Sequence, residues 1–115
     1  MSATVALTVA DIFDGRGSLR ADSKTVVEQI GFWVRAELGL HSAVTDEEDG
    51  YVKFKMGGRR SHWLWVRLNP LDLYDIRITK YDRKQMGHLP VSGRDDIYAD
   101  QLGEAIRALA TTEGA

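Results

Sequence analysis

The chain has no cysteine, which removes disulfides, thiolate metal sites and thiol nucleophiles together and fits a reducing, cytoplasmic setting. It has no apolar run near the roughly 20 residues that a membrane helix needs. Its first residues, MSATVALTVADIFDG, carry no basic side chain ahead of the apolar part and reach Asp11 and Asp14 at once, which is foreign to a secretory leader. Internal repeats and low-complexity tracts are also missing. These absences predict a soluble intracellular protein with no membrane partner.

Catalytic and cofactor signatures are scarce too. His41, His62 and His88 are far apart, and none has a second ligand at metal spacing, so each reads as a surface or half-buried histidine. His62 and Arg60 beside a phosphate could support acid-base cleavage of RNA, yet no second proton-transfer group is identifiable. TDEEDG lacks the ligand spacing of a calcium loop and reads as a charged turn. DGRG stands outside any strand-to-helix context and reads as a flexible loop. Asp72, Asp75 and Asp82 fall where a metal nuclease would keep carboxylates, but the Glu-x-Lys partner is missing. Asp75 reads better as a charge partner of Arg67 or Lys53. The expectation is a protein without catalytic residues, metal or cofactor, which works by binding.

What is present is ordinary globular composition, 43% hydrophobic and 28% charged in 115 residues, enough for one self-standing domain over 1–115. The net charge of −2 hides a segregation. Residues 1–50 carry −5, residues 51–88 carry +6 and residues 89–115 carry −3. Such asymmetry speaks to partners more than to fold.

The clearest helix starts after Asp22, an N-cap residue type, and runs through SKTVVEQIGFWVRAELG to Gly39, a C′ residue type. Val26, Val27, Ile30, Trp33, Val34 and Leu38 make one apolar stripe. Phe32 lies nearly opposite and needs a second neighbour, either the N-terminal segment with Val9, Ile12 and Phe13 or another subunit or partner. Gly31, mid-helix, suggests close approach by another element. A second helix near the C-terminus places Tyr98, Leu102, Ala105, Ile106 and Leu109 on one face, with Asp95 and Asp96 at its start and Arg107 in its last turn. Residues 112–115 read as a frayed tail. Thr8 to Asp14 suits a short helix capped by Thr8, although ATVALTV also alternates like a strand, and 1–21 stays open.

Between the helices the period changes to two. YVKFKM, SHWLWVRL and LYDIRITKY read as strands separated by GGRR and NPLD, with a shorter strand around Ser42 to Thr45. YDRKQMGHLPVSG reads as a loop holding at most a short edge strand about Leu89 to Val91. This order predicts an α+β domain in two layers: an antiparallel sheet of three to five strands with two main helices on one face.

The register of the YVKFKM/SHWLWVRL hairpin then decides where the tryptophans point. A two-residue Gly57-Gly58 turn, which glycine favours, or a four-residue loop sets Trp63 and Trp65 beside Phe54 and Val52 in the core. A loop of odd length gathers Val52, Phe54, Met56, Leu64, Val66 and Leu68 on one face and leaves Lys53, Lys55, Trp63, Trp65 and Arg67 on the other. Burying one whole face outweighs an ideal turn, so the odd register is expected. Arg77 and Tyr81 of the third strand join the aromatic and basic side, and Arg59 and Arg60 on the turn, with Arg83 and Lys84, extend the cationic track.

Such a face can stack rings on bases while cations follow phosphates, which suits single-stranded nucleic acid or another polyanion. Lysine stems lying over the tryptophans as cross-strand shields would give the same pattern with no ligand at all. A protein partner or a second copy, engaged through the same face or Phe32, is the other binding reading. No RNP-like, helix-turn-helix or zinc-finger signature is present.

Overall fold

The strands are β1 (Leu40–Asp46), β2 (Tyr51–Met56), β3 (His62–Leu68), β4 (Tyr74–Asp82) and β5 (Gly87–Ile97), with apolar and polar residues alternating most clearly in β2 and β3. They lie side by side in chain order as one antiparallel sheet. The helices are α1 (Val9–Ile12), α2 (Ser23–Ile30), α3 (Phe32–Leu38) and α4 (Leu102–Glu113), the last entered through a single 3-10 turn at Ala99–Gln101. The computed structural model describes residues 9–15, 22–46, 48, 50–58 and 61–113. The expected cap at Thr8 lies outside them, as do residues 114 and 115 of the expected frayed tail 112–115; the first two residues of that tail instead close α4.

The α+β expectation holds, with five strands. In the β2–β3 hairpin Phe54 pairs with Leu64, Val52 with Val66, Lys55 with Trp63 and Lys53 with Trp65, which is the odd register. One sheet face therefore collects Val52, Phe54, Met56, Leu64, Val66, Ile76 and Ile78, all buried, against Val26 and Ile30 of α2 and Leu102, Ala105, Ile106 and Ala110 of α4. Each Val, Leu, Ile, Phe or Met side chain among them contributes roughly 1.5–3 kcal/mol on burial. The glycine pair does not set the turn; the apolar face does.

Several readings need correction. The helix expected to run unbroken from Asp22 to Gly39 is two helices. Asp22 caps α2 through Thr25 N (3.1 Å) and Thr25 Oγ1 (2.8 Å), and Gly39 ends α3 at φ 63°. Between them Gly31 sits at φ 89°, a value open to glycine and strained for other residues. Nothing lies within 4 Å of where its Cβ would be, so backbone conformation, and not close approach, requires glycine here. The close approach is at Gly103, whose missing Cβ would collide with the Ile30 carbonyl.

The break also resets the helical phase. Val34 and Leu38 pack on the core, whereas Trp33, expected in the stripe, is 81% exposed. Phe32 is 63% exposed and meets Trp33 edge-on at 5.3 Å. Ile12 and Phe13 do not cover Phe32, because they lie with Tyr51 and Trp65 on the opposite face of the sheet.

The supposed loop before α4 is an eleven-residue edge strand. β5 follows β4 from Asp82↔Gly87 to Tyr74↔Ile97, with irregularities between Ile78 and Thr79 and between Tyr74 and Ile76. An edge position tolerates Pro90 and Gly93, and the irregularities break the alternation that would have announced a strand. Asp95 and Asp96 consequently belong to β5 and do not cap α4. Asp96 instead joins a hydrogen-bonded knot at the β3–β4 turn, built on the buried Asn69 and Asp75. Asn69 donates to Asp75 (3.0 Å) and Asp96 (2.8 Å) and accepts from Leu71 N and Leu73 N. Asp75, fully buried and opposite Arg67 in the ladder, also accepts from Asp96 N at 3.0 Å.

Candidate nucleic-acid interface

The sheet face away from α2 and α4 carries Tyr51, Lys53 and Lys55 from β2, Trp63, Trp65 and Arg67 from β3, and Arg77, Thr79 and Tyr81 from β4, because side chains alternate along each strand. His88 joins them opposite Tyr81. The expected aromatic and basic face therefore exists. It is divided into a covered half and an open half.

The covered half lies under α1. Phe13 is fully buried and Ile12 nearly so, against Tyr51 and Trp65 at 7% and 3% exposure. The Arg67 and Arg77 guanidinium carbons lie 5.1 and 5.5 Å from the centre of the Phe13 ring, a cation–π arrangement. Arg77 ties the segment down: Nε donates to the Ile12 carbonyl at 2.8 Å, Nη2 to Asp14 at 3.0 Å and Nη1 to Asp95 at 2.6 Å. Trp65, Arg67 and Arg77, expected on an exposed face, are buried because Ile12 and Phe13 occupy the ground above them.

The open half is a groove of about 600 Å³. Lys53, Lys55, Trp63 and Tyr81 line it, with Arg83 from the β4–β5 turn and all three histidines of the chain. The fold thus gathers His41, His62 and His88, which are remote in sequence, although no set of three His, Asp or Glu that could hold a metal occurs among the described residues. Gly57 and Ser61 line the groove as well; Arg59 and Arg60, expected to extend the cationic track, lie outside the described residues.

Electrostatics follow from that crowding. The Lys53 ammonium sits 5.0 Å from Trp63, 4.9 Å from Trp65 and 6.0 Å from Tyr51, and Lys55 sits 5.5 Å from Trp63. The shielding of rings by lysine stems is therefore present. Desolvation pulls the Lys53 pKa down, and Asp46 partly restores it. His88 is packed edge-on against Trp63, Trp65 and Tyr81 with centroids 5.7, 5.0 and 5.3 Å away. Burial first, then the Lys53 charge, lowers its pKa to about 4. Its Nδ1 lies 2.9 Å from Thr79 Oγ1, which accepts from Trp65 Nε1 at 2.8 Å.

A second hollow of about 420 Å³ lies between α1 and β5 and has the opposite character, with Asp11, Asp14 and Asp95 around Arg77. Of the residues singled out in the sequence, Lys53, Lys55, Trp63 and Tyr81 meet in the open groove, and Trp65, Arg67 and Arg77 lie beneath α1. Phe32 is on the other side of the sheet. His88, read in the sequence as a surface or half-buried histidine, is half-buried, but the sequence reading placed neither it nor Thr79 in the site. Reading DRKQMG as a hairpin turn would have set His88 opposite Tyr81.

The chain matches no known protein family, no curated protein and no solved structure. Among the described residues no helix is long and apolar enough to cross a membrane.

Proposed function

We propose that the open groove binds single-stranded nucleic acid, without turnover, as a small cytoplasmic binding domain. One observation carries this reading: in a chain of net charge −2, the described lining of the groove holds Lys53, Lys55, Arg83 and three histidines around Trp63 and Tyr81, and no carboxylate. Its volume lies within the range of roughly 300–1,000 Å³ typical of ligand sites. Half-exposed rings offer a stacking surface worth about 1–3 kcal/mol per base, and the flanking cations suit phosphates. A single strand is favoured over a duplex because stacking needs an unpaired base face.

The reading is tested by titrating a single-stranded DNA or RNA hexamer into the protein and following tryptophan fluorescence at several salt concentrations. Three cations that neutralise phosphates give a plot of log affinity against log salt with a slope of roughly −2. Quenching that follows this slope and is lost in Trp63→Phe supports the site. Emission indifferent to oligonucleotides contradicts it, and equal competition by polyphosphate reduces it to a general polyanion site.

A second reading is supported by the exposed Phe32 and Trp33, since aromatic residues are enriched at protein-binding hot spots. A protein partner or a second copy engaged there would bind with little salt dependence and would be lost in Phe32→Ser with Trp33→Ser.

A further inference from the structure

His88 is the groove side chain whose hydrogen-bonding state the fold fixes. An indole N–H can only donate, so Trp65 donates to Thr79 Oγ1. Thr79 is 1% exposed, and its hydroxyl hydrogen needs a protein acceptor. His88 Nδ1, 2.9 Å away, supplies one only if it carries no hydrogen. The opposite tautomer would direct two N–H groups at the same oxygen and strand the threonine's own hydrogen in the interior. Burial and the Lys53 ammonium both keep the ring neutral. The imidazole is therefore neutral, protonated on Nε2 and bare on Nδ1. Because Nδ1 turns toward the buried Thr79, the Nε2–H edge of this half-buried ring is the one left for the groove.

The neighbours say what such a donor is suited to. Lys53, Lys55 and Arg83 are cations and take phosphates better than a neutral N–H does. A base laid on the exposed part of Trp63 lies parallel to the indole and turns its rim, where its carbonyl oxygens are, toward the side chains packed beside that ring. His88, perpendicular to Trp63 at an interplanar angle of 84°, is a neutral polar group among them.

We propose that His88 is a specificity-determining residue of the groove, a tautomer-locked donor that reads an acceptor on the rim of an unpaired base while the lysines and Arg83 hold the backbone. This rests on the groove's being a site for single-stranded nucleic acid. It adds that part of the affinity comes from the base rim, independent of ring stacking and of phosphate charge.

The test compares oligothymidylate with an oligomer of the same length in which thymine is replaced by 2,4-difluorotoluene, which keeps the shape and ring face but lacks competent acceptors. The wild type should bind oligothymidylate about three- to tenfold more tightly, as one neutral hydrogen bond allows. In His88→Phe that ratio should collapse toward one. A ratio near one in the wild type, or an equal loss for both oligomers in His88→Phe, would overturn the proposal. If the wild type binds neither oligomer, the groove reading falls and takes this one with it. Because His88→Phe disturbs packing, imidazole ¹⁵N spectra of the unmodified protein give a second check. They should show a protonated Nε2 and a bare Nδ1 at neutral pH, and the reverse would refute the lock.

Discussion

The two halves of the outer sheet face are built from the same residue types and differ in what lies above them. Phe13 and Ile12 cover Tyr51, Trp65, Arg67 and Arg77, so rings and guanidiniums there act as a second small core. A few residues along the same strands, Trp63 and Tyr81 stay half exposed beside Lys53, Lys55 and Arg83. Composition alone therefore cannot separate a binding face from a packed one; the position of a short segment remote in sequence does.

The largest effect expected from this division is on stability. Phe13→Ala empties a fully buried site between two guanidiniums and should destabilise the fold by about 3–5 kcal/mol in urea unfolding. A loss below about 1 kcal/mol would mean that α1 is not part of the core. The two tryptophans provide the next contrast. Trp65→Phe removes the donor to buried Thr79 and should cost about 1–3 kcal/mol, whereas Trp63→Phe should cost under about 1 kcal/mol and abolish oligonucleotide quenching. Equal losses of stability would erase the distinction between the halves.

A smaller effect is set by pH. In the fold His88 stays neutral down to about pH 4, while in the unfolded chain it takes up a proton near its ordinary value of 6.5. The unfolded state thus binds more protons in that window, so this contribution is fully present above about pH 6.5 and is lost as pH falls toward 4. For a half-buried ring the loss should be on the order of 1 kcal/mol after solvent screening is discounted. It is measured as the difference in the stability–pH profile between the wild type and His88→Phe, and parallel profiles would contradict it. The smallest effect is expected at Phe32→Ser with Trp33→Ser, both exposed, which should change stability by less than about 0.5 kcal/mol and leave oligonucleotide binding unchanged. Weakened oligonucleotide binding in that double variant would move the site to the helix side.

The sheet was legible where alternation was unbroken. Val52, Phe54, Leu64 and Val66 could share a face in only one register, and that register outweighed the Gly57-Gly58 turn signal. β5 was hidden because its irregularities interrupt the period and because Pro90 and Gly93 look like loop residues until the strand is known to lie at an edge. Gly31 was correctly marked as unusual for the wrong reason, since helical periodicity does not register a change of phase between Ile30 and Val34. The placement of Lys53, Lys55, Trp63 and Tyr81 on one sheet face was legible because each sits in a clear strand. The cover over Trp65, Arg67 and Arg77 was not, because it depends on Arg77 reaching the Ile12 carbonyl, a contact across 65 positions that no local pattern encodes. The union of three histidines in one groove depends likewise on sheet order.

The division of the face is tested most directly by the indole N–H resonances of the three tryptophans during titration with a single-stranded DNA hexamer. The Trp63 signal should shift with the titration, while the Trp65 signal, held by Thr79 beneath α1, and the Trp33 signal, on the other side of the sheet, stay in place. A Trp63 resonance that does not move while Trp33 does, or three unmoved resonances, would contradict the assignment of the open groove as the binding surface.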